Sequence, residues 1–251
     1  MDKAISIVIP LRVDSEEREK NLHCVLNQLM QMDFVYIDIL EADKEQHLFI
    51  NFKDRVRYSF IYDEDDVFYR TKYLNMLLEK ATCPIVGIWD TDVIVPEYQI
   101  QQAVNYIKMG CVLCYPYDGD FRFLSKEESI SIRKNIHAIN SSSGKRMLGR
   151  PSVGGAFVVN KDKYIEIGGE NEGFYGWGYE DIERYKRLEI LEYPIGRIDG
   201  PLYHLYHERN TKMGHAHQKR IMQNMKVLLE TCRMDKYELE ETIKRWKRIN
   251  K

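Results

Sequence analysis

Over its first half this chain alternates short apolar runs with amphipathic stretches, and no other feature limits its fold as much. Ile5 to Ile9 is an apolar run of strand length, and Glu16 to Met32 places Leu22, Val25, Leu26 and Leu29 on one helical face. Residues 35–40 and 56–61 read as strands, 70–80 as a helix, 84–89 as a strand, 96–109 as a helix and 111–115 as a strand. This repeat predicts an α/β fold of Rossmann-like type, with a mostly parallel central sheet flanked by helices. Such sheets bind ligands beyond the carboxyl ends of their strands, so charged residues just after each strand become the first candidates for function.

The second half is less regular. Residues 140–149 (NSSSGKRMLG) read as a polar loop, 156–160 as a strand and 179–191 as a helix; 195–206 hold one or two strands, and one or two helices run from 215 to the end. With 251 residues, the expectation is one large domain (1–211) carrying a helical C-terminal extension (212–251). A 44% hydrophobic and 12% aromatic composition excludes a disordered chain. No apolar run nears the ~20 residues of a membrane span, and the N-terminal run is too short for a signal peptide. The five scattered cysteines read as reduced, mostly buried thiols, which points to the cytosol; Cys111 and Cys114 have redox-motif spacing but lie in an apolar run. The near-zero formal charge of -2 argues against a general nucleic-acid binder. It also hides a division. Residues 212–251 hold eleven basic and five acidic side chains, a net of +6 that leaves -8 on the rest. Lys244-Arg-Trp-Lys-Arg248 could therefore lie against anionic lipid headgroups or a lipid-linked acceptor, or simply form a solvated helix face packed on the domain.

Three constellations carry chemistry. In Trp89-Asp90-Thr91-Asp92 an apolar strand ends in two carboxylates, which can hold a divalent cation beside a phosphate; a solvated turn is the alternative. In Gly173-Phe-Tyr-Gly-Trp177-Gly178-Tyr-Glu180-Asp181, aromatic rings with little flanking bulk can stack on a sugar face. There the acidic pair either caps the helix that follows or supplies a general base with an acceptor-binding neighbour. In His204-Leu-Tyr-His207, strand geometry sends the two imidazoles to opposite faces unless the segment bends. One of them could join Asp92 at a metal; the alternative is two structural histidines. Arg12 and Arg70 would sit on the ligand edge of the sheet, where guanidinium groups hold a diphosphate or pair with Asp63 to Asp66. Glu41 follows the second strand, where a carboxylate often meets a ribose or base.

Taken in order from about residue 5 to 210, these pieces resemble the GT-A glycosyltransferases, in particular the β-1,4-galactosyltransferase family (family 7) and the galactosyltransferase-like domains of chondroitin-polymerase-type family 2 enzymes. Ile9-Pro10-Leu11-Arg12 is similar to the family's P-F-R strand end, and Phe68-Tyr-Arg70-Thr-Lys-Tyr-Leu-Asn75 to its F-N-R-A-K-L-L-N segment, which contacts the nucleotide. Asp90-Thr-Asp92 is similar to its D-V-D, whose second Asp binds manganese. Gly154-Gly155 resembles its G-G-V-S turn near the donor sugar. Gly176-Trp177-Gly178-Tyr179-Glu180-Asp181 resembles its W-G-G-E-D, which supplies the acceptor pocket and the catalytic base. His207 falls where the family has a metal-binding histidine. The chain departs at Ile182, which interrupts the family's acidic run, and at His204, where the animal enzymes carry a methionine ligand. Ser152 replaces a bulkier residue, and that change leaves room for a donor with a larger C2 substituent.

The resemblance implies an inverting transfer of a hexose or N-acetylhexosamine, galactose or N-acetylgalactosamine favoured, from a UDP-sugar to a glycan or lipid-linked glycan. It implies Mn2+ (or Mg2+) on Asp92, His207 and His204, Asp181 as base, Glu180, Trp177 and Gly178 at the acceptor, and Pro10, Arg12, Glu41, Phe68, Arg70, Asp90, Gly154 and Gly155 at the donor. The stem and anchor of the animal enzymes are missing from this sequence, so the expectation is a bacterial-type cytoplasmic enzyme of surface-polysaccharide synthesis, with a peripheral contact at the inner face of the membrane. A nucleotidyltransferase is the main alternative, but Leu11-Arg-Val-Asp-Ser-Glu-Glu17 lacks the glycines of its usual phosphate loop. A non-catalytic glycan- or nucleotide-binding module is the second, and the joint presence of Asp90, Asp92, Asp181 and His207 counts against it.

Overall fold

The computed structural model of the chain describes residues 5–49, 55–146, 149–208 and 215–249. The expected domain boundary at 211/212 lies outside the described residues, as do the side chains of residues 247 and 248.

The elements run β1 (Ile5–Leu11), α1 (Glu16–Met30), β2 (Val35–Asp43), β3 (Val56–Tyr62), α2 (Arg70–Lys80), β4 (Ile85–Trp89), β5 (Val93–Ile94) and α3 (Glu97–Lys108). They continue with β6 (Leu113–Tyr115), β7 (Phe121–Phe123), α4 (Lys126–Lys134), β8 (Lys145–Arg146), β9 (Ala156–Asn160), α5 (Lys161–Glu166) and α6 (Glu180–Ile190). The last are β10 (Ile195–Arg197), β11 (Leu202–His204), α7 (His215–Arg233) and α8 (Lys236–Ile249). Among the described residues the large sheet has the order β10-β6-β9-β4-β1-β2-β3. Its β1–β2, β2–β3, β1–β4 and β6–β10 pairs are parallel, and β9 runs antiparallel between β4 and β6. Every residue of β1 is buried, as expected for a central strand covered on both faces. α1 starts where Ser15 caps it, its side chain accepting from the Arg18 amide at 3.3 Å, with Glu16, Glu17 and Glu19 in the first turn.

The mixed α/β architecture agrees with the sequence reading, and α2 and β9 match it residue for residue. A second sheet, in the order β5-β11-β7-β8, was not legible. Its strands are two or three residues long and carry no period that a pattern search can find. It nonetheless decides the site, because β5 follows Asp92 and pairs with β11 in the register Val93 to His204.

The C-terminal helices pack onto the sheet domain. On α7, the Thr231 hydroxyl lies 3.3 Å from Glu183 of α6. α8 buries Leu239 and Ile243. Trp246 rests on Gly168, where a Cβ would come within 3.2 Å of the indole, and the Arg187 guanidinium lies 6.0 Å from the ring. Within 244–248, then, Trp246 faces the protein, while Lys244 is exposed and paired with Glu241 at 2.6 Å. No described helix is long and apolar enough to cross a membrane.

Candidate active site

Two short segments at the carboxyl end of β4 build one side of the site. The Asp90 amide donates to the Gly155 carbonyl at 2.9 Å, which ties the strand end to the glycine turn before β9. The Asp90 carboxylate accepts from Arg70 Nη2 at 2.6 Å, at the start of α2. Arg70 Nη1 is buried without a hydrogen-bond partner, an unusual state for a guanidinium nitrogen and one that an anionic ligand would relieve. Burial opposes the Arg70 charge, but Asp90, Asp181 and Glu180 outweigh it and keep the group protonated. Burial likewise raises the Asp90 carboxyl, with the charges of Asp92 and Asp181 pushing the same way and Arg70 opposing.

Asp92, His204 and His207 form the second part. Asp92 Oδ1 lies 3.5 Å from His204 Nε2, and Oδ2 lies 3.3 Å from His207 Nε2. One ligand atom from each of the three falls within 4.8 Å of the others, so one ion is within reach of all of them. The chain bends after His204, where β11 ends and the Leu205 amide donates to the Asp92 carbonyl at 2.8 Å, and this bend brings both imidazoles to one side. Asp92 is nearly enclosed, and burial alone would raise its carboxyl. His204, His207 and Arg18 outweigh that effect and hold it down at about 2. Burial lowers the His204 pKa, so its ring favours the neutral, lone-pair form. His207 Nδ1 lies 3.1 Å from the Glu208 carbonyl, a contact that orients the ring so that Nε2 faces Asp92. One carboxylate with two imidazoles suits a first-row transition ion better than Mg2+.

The third part is the glycine-rich loop and the start of α6. Tyr179 turns the chain into the helix at φ 72°, a left-handed conformation that is costly for a bulky residue. It has no side-chain cap; instead Glu180 Oε2 accepts from the Gly178 amide at 2.7 Å. Asp181 accepts from Arg184 Nη1 at 2.7 Å through Oδ1. Its Oδ2 faces Gly154 so closely that a Cβ there would lie 2.5 Å from it. Trp177 is 67% exposed at the rim. The loop is pinned from behind by buried Asn224 of α7, which accepts from the Tyr175 amide at 3.3 Å and donates to the Tyr175 and Trp177 carbonyls at 3.3 and 3.4 Å.

The glycine turn at 154–155 is where these parts meet: Asp90 is bonded to one glycine and Asp181 is packed on the other. Other sequence candidates lie elsewhere. Pro10 is buried within β1, opposite Leu40. Arg12 bonds the Ala42 and Asp65 carbonyls at 2.9 and 2.7 Å and Asp63 at 2.8 Å, so its guanidinium is spent on holding the 63–65 turn. Phe68 packs 5.3 Å from the Tyr73 ring and 5.7 Å from the Arg12 guanidinium. Glu41 departs from its expected place beside a ribose. It is fully buried, its oxygens accept from the His47 and Leu48 amides at 2.9 and 3.2 Å and from the Tyr58 hydroxyl, and it anchors the loop after β2. The reason is local: the chain folds back over the strand end and satisfies the carboxylate before a ligand can. The sequence reading missed Arg184, Glu170, Asn224 and Tyr117, whose hydroxyl donates to the Gly154 carbonyl at 2.6 Å. Only Arg184 left a trace, three residues after Asp181 on a helix.

Residues 134–209 match the family described as the N-terminal domain of galactosyltransferase. No curated protein matches the chain by sequence. Among solved structures, it is similar to GalNAc-T7 with UDP, GalNAc and Mn2+ (TM-score 0.57, 12% identity, 89% of this chain and 47% of that one). It is also similar to the mannosyltransferase PcManGT of Pyrobaculum calidifontis in complex with GDP-Man and Mn2+ (TM-score 0.54, 11% identity, 90% and 64%). The catalytic domain of Drosophila beta1,4-galactosyltransferase 7 in complex with xylobiose is a weaker match (TM-score 0.49, 14% identity, 87% and 79%). The chain thus spans less than two thirds of GalNAc-T7 and of PcManGT. The fold is that of the GT-A glycosyltransferases, with a mostly parallel sheet among helices. Together with the family match it supports a glycosyltransferase.

Two tests follow from the geometry. Gly154→Ala places a methyl group against Asp181 Oδ2, and Arg184 keeps Asp181 from swinging clear. Transfer is expected to fall about tenfold to a hundredfold in a variant that still unfolds cooperatively, as measured by kcat and thermal unfolding. The second test concerns Glu180. Burial, with the neighbouring Asp181 charge, pushes its carboxyl from 4.5 up to about 7. The folded state therefore holds this proton more tightly than the unfolded one, so the contribution is complete below pH 4.5 and is lost as pH rises through 7. Glu180→Gln is expected to flatten the fall in melting temperature across that window, as read by calorimetry.

Proposed function

We propose that this chain transfers a hexose or N-acetylhexosamine, galactose or N-acetylgalactosamine favoured, from a UDP-sugar to a hydroxyl of a glycan acceptor with inversion at the anomeric carbon. Surface-polysaccharide synthesis is the proposed setting. The observation that carries this reading is the convergence on Gly154 and Gly155 of the Asp181 carboxylate, the Arg70–Asp90 pair and, on the same strand end, the Asp92–His204–His207 cluster.

Asp92, His204 and His207 would hold Mn2+, which when bound supplies Lewis-acid stabilisation of the charge building on the leaving UDP. The rest is the work of the chain. Arg70, with its unpartnered Nη1, binds the diphosphate and adds fixed positive charge where the leaving group develops its own. Trp177 offers an exposed indole face to the acceptor sugar. Asp181 Oδ2 takes the proton of the acceptor hydroxyl as that oxygen attacks the anomeric carbon. The bond from that carbon to the diphosphate breaks, and UDP leaves with the electron pair.

The test is incubation with Mn2+, a glycan acceptor and a panel of UDP-sugars with GDP-mannose as a comparison, reading nucleoside diphosphate release and the anomeric configuration of the product by NMR. Acceptor-dependent UDP release with inversion is expected. Pyrophosphate exchange in its place would indicate a nucleotidyltransferase, and tight binding without turnover a binding module.

A further inference from the structure

The proposed base is held by a buried charge network whose members the resemblance does not name. Arg184 sits one helical turn after Asp181 on α6 and is fully buried. Its fork grips Glu170, with Nη2 at 2.7 Å from Oε2 and Nε at 3.0 Å from Oε1. Nε also lies 3.0 Å from the Tyr164 hydroxyl, which itself donates to Glu170 Oε1 at 2.6 Å. The guanidinium carbon lies 4.0 Å from the centroid of the Phe157 ring on β9. Four contacts thus leave Arg184 no freedom, and Glu170 balances its charge, without which a buried guanidinium would be costly. The remaining arm, Nη1, reaches Asp181 Oδ1 at 2.7 Å.

We infer that Arg184, locked by Glu170, Tyr164 and Phe157, is the positioning residue that fixes the Asp181 carboxylate for proton transfer. The pair divides the work of the two oxygens. Oδ1 is held by Arg184, which stops rotation about the carboxylate's side-chain bonds. Oδ2 is thereby held against Gly154, where the lack of a Cβ leaves room for it. A carboxylate that is one-third exposed and lacked this tether would sample several rotamers, and a misplacement of about 1 Å at a reacting group can cost about a hundredfold in rate. Arg184 needs no contact with either sugar for this role.

This inference rests on Asp181 being the base, so its test is a double-mutant cycle with Asp181→Asn. Arg184→Lys keeps a cation but cannot grip Glu170 and Asp181 together. It is expected to lower kcat about tenfold to a hundredfold, with the donor KM and UDP binding by calorimetry unchanged. In the Asp181→Asn background the same substitution is expected to change kcat less than about threefold, because the group it orients is already gone. Losses that multiply in full in the double variant overturn the positioning role, since they would mean that Arg184 acts independently of Asp181. Where Arg184→Lys fails to fold, Glu170→Gln takes its place in the cycle; it loosens the same clamp from the far side, and the same two outcomes decide. Full activity of Asp181→Asn alone would instead refute the reading of the site and leave the Arg184–Glu170 clamp a structural one.

Discussion

Replacing Asp181 with Asn is expected to slow sugar transfer by roughly 10²–10⁴-fold, the usual contribution of a positioned general base. The substitution is nearly isosteric. The side-chain carbonyl of Asn can still accept from Arg184 Nη1, now 2.7 Å from Oδ1, so the start of α6 keeps its shape. The group turned toward Gly154 becomes an amide NH2, which donates hydrogen bonds and takes no proton. The bond between Arg70 and Asp90 and the contacts of the Asp92 cluster do not involve the Asp181 side chain, so UDP-sugar and Mn2+ affinities should hold. Single-turnover transfer with calorimetric binding separates the two effects. An unchanged rate would remove Asp181 from the chemistry.

Asp92→Asn is the second large effect. Asp92 lies between two imidazoles, 3.5 and 3.3 Å away, and the two rings together with Arg18 hold its carboxyl down at about 2 against the cost of burial. A neutral amide in that place removes the anionic ligand from the donor set and leaves two imidazoles, too few to hold Mn2+ firmly. Lewis-acid stabilisation is worth several kcal/mol, so turnover at fixed Mn2+ should fall about a thousandfold. Mn2+ binding, read by electron paramagnetic resonance without substrate, should weaken at least about a hundredfold. Unaltered Mn2+ binding in Asp92→Asn would place the ion elsewhere. The fold itself should persist, because the backbone bond from the Leu205 amide to the Asp92 carbonyl does not involve the side chain.

Much of the large sheet was legible because its strands are long enough to show a pattern. β1 and β4 are largely apolar runs, β2 interrupts one only at Asp38 before its acidic end, and the helices between them carry one apolar face. The chemistry was legible residue by residue and only partly in its arrangement. Asp92, His204 and His207 could be named, yet the strand period separates the two imidazoles, and only the bend after β11 unites them. Glu41 shows the opposite error. Its position after β2 looked like a ligand site, but the loop at 47–48 folds back and uses the carboxylate. α6 is the clearest case. The segment Glu180-Asp-Ile-Glu-Arg-Tyr-Lys-Arg187 holds six charged side chains in eight residues, yet Glu183, Arg184 and Arg187 are buried. Arg187 spends its guanidinium on the Ile167 and Gly169 carbonyls, both at 2.6 Å, and on Glu183.

The sequence by itself determined the alternation that makes a parallel sheet, the carboxylates at the end of β4, and the glycine-rich loop that leads into α6. These are local properties, written in spacing and residue type, and they survive in any fold that buries the apolar faces. Only the tertiary structure decided that Asp92 meets two histidines, that Asp181 lies on Gly154, and that Arg184 is a buried clamp rather than a surface charge. Each of those contacts joins segments distant in the chain or turns a helix face inward. Packing sets them, because a buried charge is tolerated only where a partner from another segment is already in place.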